Sequence, residues 1–364
     1  MTASVPEVRG SACIRYRYRY SECRRCADAC PHEAVVLSDE GVTLDPSRCR
    51  NCALCASACR SGAIDAKSAA RIELLRAAVK QPAWSFACAP SQVEADAVVP
   101  CLGALDAVML AYLAKRGIAV ELRGAHHCEQ CAHGVEGAAQ LALNLEGMKL
   151  LEAAAEGESW CEPVLAASPD EDRRGPAPVS GARRQLFRRL FGRAADAIAQ
   201  AGASADPQPV PKKAIRAGAY FLPDQRRLLD IVAKRAGGAA ASVPAHASIP
   251  ALDLELDDGC TACEACFRVC PTGAIQIEES SSAWALTFDA ARCVGCEVCI
   301  EVCQPRVLHA AKTVRIVPAE TTRLLHGLSK QRCAVCDRFF VSPEPRDKCD
   351  ICRDDEEAFG AIFG

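Results

Sequence analysis

The chain has 364 residues, half of them apolar and 24% charged, with a formal net charge of −3 and 25 cysteines. That length allows two or three domains, and so small a net charge singles out no polyanionic or polycationic partner. The cysteines fall in tight Cys-x-x-Cys groups, which suit a shared metal better than the distant partners of a disulfide scaffold. Residues 1–10 carry no apolar stretch of the secretory kind, and paired arginines such as Arg24–Arg25 precede no apolar segment near the start. The longest apolar run, 97–114, is broken by Pro100, Gly103 and Asp106 and reads as a strand running into a helix. The expectation is a soluble chain in a reducing, cytoplasmic compartment, α+β and multidomain.

Residues 10–70 hold Cys23-x2-Cys26-x3-Cys30-Pro31 and then Cys49-x2-Cys52-x2-Cys55-x3-Cys59. The second run is complete, whereas the place of a leading cysteine in the first falls at Tyr20. The preceding Arg15-Tyr16-Arg17-Tyr18-Arg19-Tyr20 alternates with period two, so it reads as an amphipathic strand beside a metal site. Interleaved cations and aromatics also suit nucleic acid, but one such stretch is too little to predict a nucleic-acid partner. Arginines beside a cluster would favour its reduced, more negative state and raise its potential.

Residues 82–157 change character. Ser85-Phe86-Ala87-Cys88 and 97–100 read as strands, and Cys101-Leu102-Gly103 leads into an amphipathic helix through Lys115 that Gly117 ends. A strand at 118–122 follows, then His126-His127-Cys128-Glu129-Gln130-Cys131 and a long helix through Leu151. This is a small parallel α/β pattern, and Cys88, Cys101, Cys128 and Cys131 stand at its strand ends, where such folds place their sites. The order (a Cys-x-Gly after one strand, a Cys pair after the next, a glycine, a leucine-bearing helix) resembles the [2Fe–2S] delta subunit that links hydrogenases to heterodisulfide reductases. That resemblance implies a [2Fe–2S] centre on these four residues. The sequence around each cysteine departs from it, and His126, His127 and His133 leave a Rieske-like or zinc site, or no metal, as alternatives.

Residues 158–250 shift to Pro, Ala, Gly, Ser and Arg, with Cys161 alone. Within them 183–193 is a basic amphipathic stretch with Leu186, Phe187, Leu190 and Phe191 on one side. It is read as a linker helix packing on its own protein, with peripheral membrane contact or an acidic partner as the other use. A second helix is expected over 224–235.

Residues 251–316 repeat the N-terminal motif in full: Cys260-x2-Cys263-x2-Cys266-x3-Cys270-Pro271, then Cys293-x2-Cys296-x2-Cys299-x3-Cys303, with a turn at Thr272-Gly273 before a short strand. The stretch resembles bacterial two-cluster ferredoxins, in which the fourth cysteine of each run reaches the other cluster. The resemblance implies one [4Fe–4S] cluster on Cys260, Cys263, Cys266 and Cys303 and another on Cys270, Cys293, Cys296 and Cys299. Zinc needs only four ligands and has no use for eight in this interlocked order. Carried to the N-terminal copy, the rule gives a cluster on Cys30, Cys49, Cys52 and Cys55 and another on Cys23, Cys26 and Cys59. For the latter a fourth ligand from Cys13, a [3Fe–4S] centre, or a non-cysteine ligand all remain open, with Cys13 preferred because it lies seven residues before Tyr20.

The tail, 328–356, holds Cys333-x2-Cys336-x12-Cys349-x2-Cys352, the spacing of a zinc ribbon, before an acidic stretch from Asp354 to Glu357. Asp337 and Arg353 replace the glycines usual after each rubredoxin knuckle, which favours structural zinc over rubredoxin-type iron. No glycine-rich dinucleotide fingerprint, P-loop or nucleophile set is present, so no catalytic residue is assigned. By resemblance to polyferredoxins, the expected role is one-electron transfer to or from a larger oxidoreductase of the formate dehydrogenase, hydrogenase or heterodisulfide reductase kind. The two rival classes are a redox-sensing or assembly protein and an enzyme with a substrate-binding cluster in the middle unit.

Overall fold

A computed structural model of the protein describes residues 5–38, 41–66, 70–155, 157–166, 218, 220–234, 241–316 and 322–363. The basic stretch 183–193 lies outside them. Helices and sheets are both present, and among the described residues no helix is long and apolar enough to cross a membrane.

The N-terminal module is closed by pairing β1 (Glu7–Val8) antiparallel with β4 (Ile64–Asp65). Between them run α1 (Ile14–Arg17), α2 (Arg25–Asp28), the hairpin β2 (Val35–Ser38) and β3 (Gly41–Leu44), and α3 (Leu54–Ala58). The expected strand over residues 15–20 is therefore a four-residue helix. Alternation fails there because Ile14, Tyr16 and Arg17 are all buried while Tyr20 is 75% exposed, so burial does not follow a period of two. Tertiary contacts decide it: the Tyr16 hydroxyl accepts from the Val42 amide of the hairpin.

The middle unit opens with α4 (Arg71–Ala78) and continues through β5 (Ala83–Cys88), β6 (Ala97–Val99), α5 (Ala107–Lys115), β7 (Ala119–Arg123), α6 (Gly134–Ala153) and β8 (Val164–Leu165). Its four strands are all parallel, in the order β6-β5-β7-β8. Asp106 caps α5 by accepting from the Met109 amide, and Leu110, Leu113, Phe86, Leu122 and Met148 fill the core between helices and sheet. Helix α7 (Asp224–Ala233) packs Leu228, Leu229 and Val232 into the same core, as does the pair formed by β9 (Ala241–Pro244) with the later strand at 313–316.

The C-terminal module repeats the N-terminal plan. β10 (Leu254–Leu256) pairs with β13 (Leu308–Ala310) around α8 (Ala265–Val269), the hairpin β11 (Ile275–Glu279) and β12 (Ala283–Asp289), and α9 (Val298–Glu301). β14 (Thr313–Ile316) then returns to β9. The tail does not stand apart. β15 (Thr322–Arg332) pairs along β12, and β16 (Phe339–Ser342) along β15, making one four-stranded sheet with the hairpin. The acidic residues 354–357 continue in a helix, α10 (Asp350–Phe363), that runs past them.

Ile14 of the N-terminal module packs against Val269, Val298 and Val302 of the C-terminal one, so the two modules share an apolar joint. Burying side chains of this size contributes about 1.5–3 kcal/mol each.

Candidate metal centres

Twenty-four of the 25 cysteines sort into six quartets. Cys161 is left over, its amide donating to the Ala114 carbonyl.

In the C-terminal module Cys260, Cys263, Cys266 and Cys303 line one cavity. Cys270, Cys293, Cys296 and Cys299 form the second group: burial pushes the Cys299 thiol well up, and Cys296, Cys293 and Cys270 add to it. In the N-terminal module Cys30, Cys49, Cys52 and Cys55 line one cavity. Cys13, Cys23, Cys26 and Cys59 line another, and exposed Tyr20 is not among its residues. Cys13 reaches this cavity because α1 is a helix: it is the residue that precedes the first turn.

The local backbone explains why three runs behave alike. Ala53, Glu264 and Glu297 each follow the middle cysteine of a complete run and each is left-handed, with φ of 64°, 63° and 68°. That curl turns the chain into the short helix carrying the third cysteine. In the incomplete run Arg24 has φ −125° instead, and the missing thiol comes from a separate element. Amide donors recur too: Ala34 donates to Cys30 Sγ at 3.3 Å, and Ala274 to Cys270 Sγ at 3.2 Å.

The middle quartet also converges. Cys88, Cys101, Cys128 and Cys131 line one cavity at the carboxyl ends of the parallel strands, with His127 and His133. His126 is not among the lining residues. Gly103 and Gly137 permit this closeness. A Cβ at Gly103 would stand 2.7 Å from the Gly137 carbonyl and 2.8 Å from Leu54 of α3, and one at Gly137 would stand 3.0 Å from Cys101 Sγ. In the tail the four Sγ atoms of Cys333, Cys336, Cys349 and Cys352 all lie within 4.8 Å of one another.

These donor sets fit metal. Burial pushes the Cys55, Cys101, Cys266 and Cys293 thiols up to about 12, with neighbouring thiols adding to the shift. Four such groups cannot ionise together unless a cationic centre takes their charge. In the tail the thiols share one charge: amides of Cys349 and Cys336 hold Cys333 down, while hydrogen bonds to Cys349, Cys336 and Cys333 push Cys352 up. A closed ion site built from four cysteines takes up such charge at its centre.

The chain holds two segments, 21–63 and 259–307, that can be compared with known proteins at the level of a domain family. Both match the 4Fe-4S dicluster domain. The middle unit and the tail lie outside the matched residues, and neither a curated protein nor a solved structure matches the chain. With two such domains and this many convergent thiols, the protein has the make-up of an iron–sulfur electron-transfer protein.

Several contacts at these centres follow from no sequence motif. Arg15, Arg25 and Arg60 line the Cys13 cavity, and so does Cys296 of the other module. His32 follows Pro31, and its Nε2 lies 3.0 Å from Nδ1 of His133. Cys101 is buried against Cys52 and Leu54. Nothing in the spacing announces where Arg60, Cys296, His133 and Cys101 end up, since each is brought against a segment distant in the chain.

Proposed function

We propose that this protein is a one-electron relay whose five thiol quartets stand in a single line. The observation that supports this is their contiguity. The middle-unit quartet touches the Cys30/Cys49/Cys52/Cys55 quartet through Cys101 and Cys52 and through the His133–His32 pair. That quartet neighbours Cys13/Cys23/Cys26/Cys59 inside one module, where Cys59 adds to the upward push on Cys55. Cys296 shares the Cys13 cavity, which brings in Cys270/Cys293/Cys296/Cys299. Cys266, beside Cys299, leads to Cys260/Cys263/Cys266/Cys303, where Cys263 is exposed at the surface.

On this reading the four ferredoxin-type quartets hold [4Fe–4S] clusters, with Cys13 as the fourth ligand of its group. The middle quartet holds a [2Fe–2S] centre, as its delta-subunit-like order suggests, and the tail holds zinc. Bound clusters supply one-electron storage at successive stops. The chain's own work is to space the stops, exclude water between the modules with Ile14, Val269, Val298 and Val302, and leave the two end quartets for exchange with other proteins. The partner class is a larger oxidoreductase of the formate dehydrogenase, hydrogenase or heterodisulfide reductase kind, in a reducing compartment.

Anaerobic iron, sulfide and zinc analysis with EPR of the reduced protein tests this. About sixteen to eighteen irons, one zinc and reversible reduction are expected. Fewer than about eight irons, or more than two zincs, contradicts the relay.

A further inference from the structure

Arginines are turned inward on the segments that bear the Cys270 quartet, and Arg17, Arg25 and Arg60 reach them from the N-terminal module. Arg226, 1% exposed, donates through Nε to the Cys293 carbonyl at 2.9 Å and through Nη2 to the Ala290 carbonyl at 3.0 Å. Arg17, also buried, donates through Nη1 to the Cys270 carbonyl at 3.3 Å and through Nε to the Ser11 carbonyl at 2.9 Å. Arg60 donates through Nη1 to the Gly295 carbonyl at 2.7 Å, in the loop between Cys293 and Cys296, while Nε and Nη2 hold the Ala247 and His246 carbonyls. Arg292 holds the Thr272 carbonyl, two residues past Cys270, at 2.9 Å.

The carboxylates paired with these cations are fewer. Asp230 lies 2.5 Å from Arg226, and Glu297 is shared between Arg25 at 3.1 Å and Arg60 at 3.4 Å. Glu301 also faces Cys23 and Asp289 faces Asp230, while Arg15 donates to the Cys23 carbonyl at 3.4 Å. Even with Arg17 set aside, the five guanidiniums of Arg15, Arg25, Arg60, Arg226 and Arg292 outnumber these four carboxylates. At the far end the Cys260 cavity is lined by Leu256, Trp284, Leu286 and Glu264, with no lysine or arginine among its described lining residues.

We propose that the two quartets at this joint, Cys13/Cys23/Cys26/Cys59 and Cys270/Cys293/Cys296/Cys299, take up electrons ahead of the terminal Cys260/Cys263/Cys266/Cys303 quartet, making the joint an electron store held by Arg17, Arg60 and Arg226. The inference rests on the electron-transfer reading above. Reduction adds one electron from an external donor and makes a thiolate-bound centre more negative. No proton is required, because the guanidiniums are already charged. Burial of the centre alone opposes that extra charge, but the same burial leaves the arginine field unscreened, and the cations outnumber their counter-charges. The arginines are positioning residues for charge: they touch the carbonyls of the segments that bear the thiols.

The test is a stepwise reductive titration of the loaded full chain with dithionite, followed by EPR. The first signals to appear should be altered in Cys296→Ser protein and unaltered in Cys263→Ser protein. Arg60→Gln, at full iron content, should give a several-fold smaller reduced fraction of those signals at fixed potential, and Arg60→Lys should restore it. Arg17→Gln serves as the second variant should Arg60→Gln lose iron. The proposal is overturned if the first signal is the one changed by Cys263→Ser, or if both Gln variants keep their iron and their potentials. Absence of any reversible reduction overturns the electron-transfer reading along with it.

Discussion

His32 and His133, 101 residues apart in sequence, meet through ring nitrogens 3.0 Å apart, and their rings cross edge to face at 78°. Burial holds both imidazoles below their ordinary range, with Arg50 adding for His32 and His32 adding for His133, so one ring donates and the other accepts. His133 also sits just past Cys131, its amide donating to that Sγ at 3.4 Å. The pair therefore pins the middle unit to the N-terminal module beside the Cys101–Cys52 contact.

His133→Leu removes this hydrogen bond and orphans the partner nitrogen. It is expected to cost about 1–3 kcal/mol in thermal unfolding while leaving iron content unchanged. Rapid-freeze EPR after mixing with substoichiometric reductant should show slower exchange between the middle unit and the remaining centres. Unchanged exchange would remove the pair from the electron path.

Cys13→Ser tests the fourth ligand of the group that lacks a cysteine at position 20, with Tyr20→Phe as its control. The serine variant is expected to lose about one to four irons per chain, or to show a [3Fe–4S] signal when oxidised. Tyr20, exposed and outside the cavity, should be indifferent to replacement.

Gly103→Val tests how tightly the middle unit sits against α3. The new side chain meets the Gly137 carbonyl, which is backbone and cannot yield cheaply, and the end of the buried Leu54 side chain. A loss of about 1–3 kcal/mol is expected. The middle quartet should lose its metal before the ferredoxin-type quartets do, as read by visible absorption during a chelator titration.

The thiol shifts give a pH dependence with a definite sign. Cys101, Cys266 and Cys293 rise from an ordinary value near 9 to about 12 in the folded, metal-free chain. The folded state thus keeps protons that the unfolded state releases. Stability from this source is full below about pH 9 and falls as pH rises towards about 12. The thermal midpoint of metal-free protein should drop between about pH 9 and 11. Loaded protein, with its thiolates already committed, should change little over that range, and parallel slopes for the two forms would contradict the assignment.

On the zinc assignment proposed above, loss of the tail ion should act locally. Cys336→Ser is expected to lose one zinc and much of the helical signal of α10, whose first turn carries Cys352, while the iron signals remain. Loss of iron along with zinc would mean that the tail helps to shape the C-terminal module through β15.

The two ferredoxin-type modules were legible in the sequence because most of their thiols are local, three closely spaced and one just beyond in every run but the first, with proline after Cys30 and Cys270. The parallel strands of the middle unit were legible too, since β5 and β6 are short, mostly apolar runs that lead to Cys88 and Cys101, and β7 is bounded by Gly117 and Gly124. What failed was the stretch 15–20. There a period-two pattern met a burial demand set by Val42 and Cys270, both distant in the chain. The arginines at the joint were hidden for the same reason. Arg60 reads as an ordinary residue after a ligand, and only the folded chain brings it to Gly295. The tail read as a separate knuckle because strand pairing along β12 leaves no mark in cysteine spacing.

The three left-handed residues Ala53, Glu264 and Glu297 bear on how the protein is put together in time. None is glycine, so each conformation costs about 1–2 kcal/mol against the chain's own preference. A newly made chain has little reason to adopt them until something draws the flanking thiols inward. On the cluster assignment proposed above, insertion would complete each loop rather than decorate a finished one, and maturation should proceed centre by centre. The Cys13 group, with no such residue and a thiol borrowed from beside α1, has to wait for its module to close through β1 and β4. It is the centre expected to be filled last.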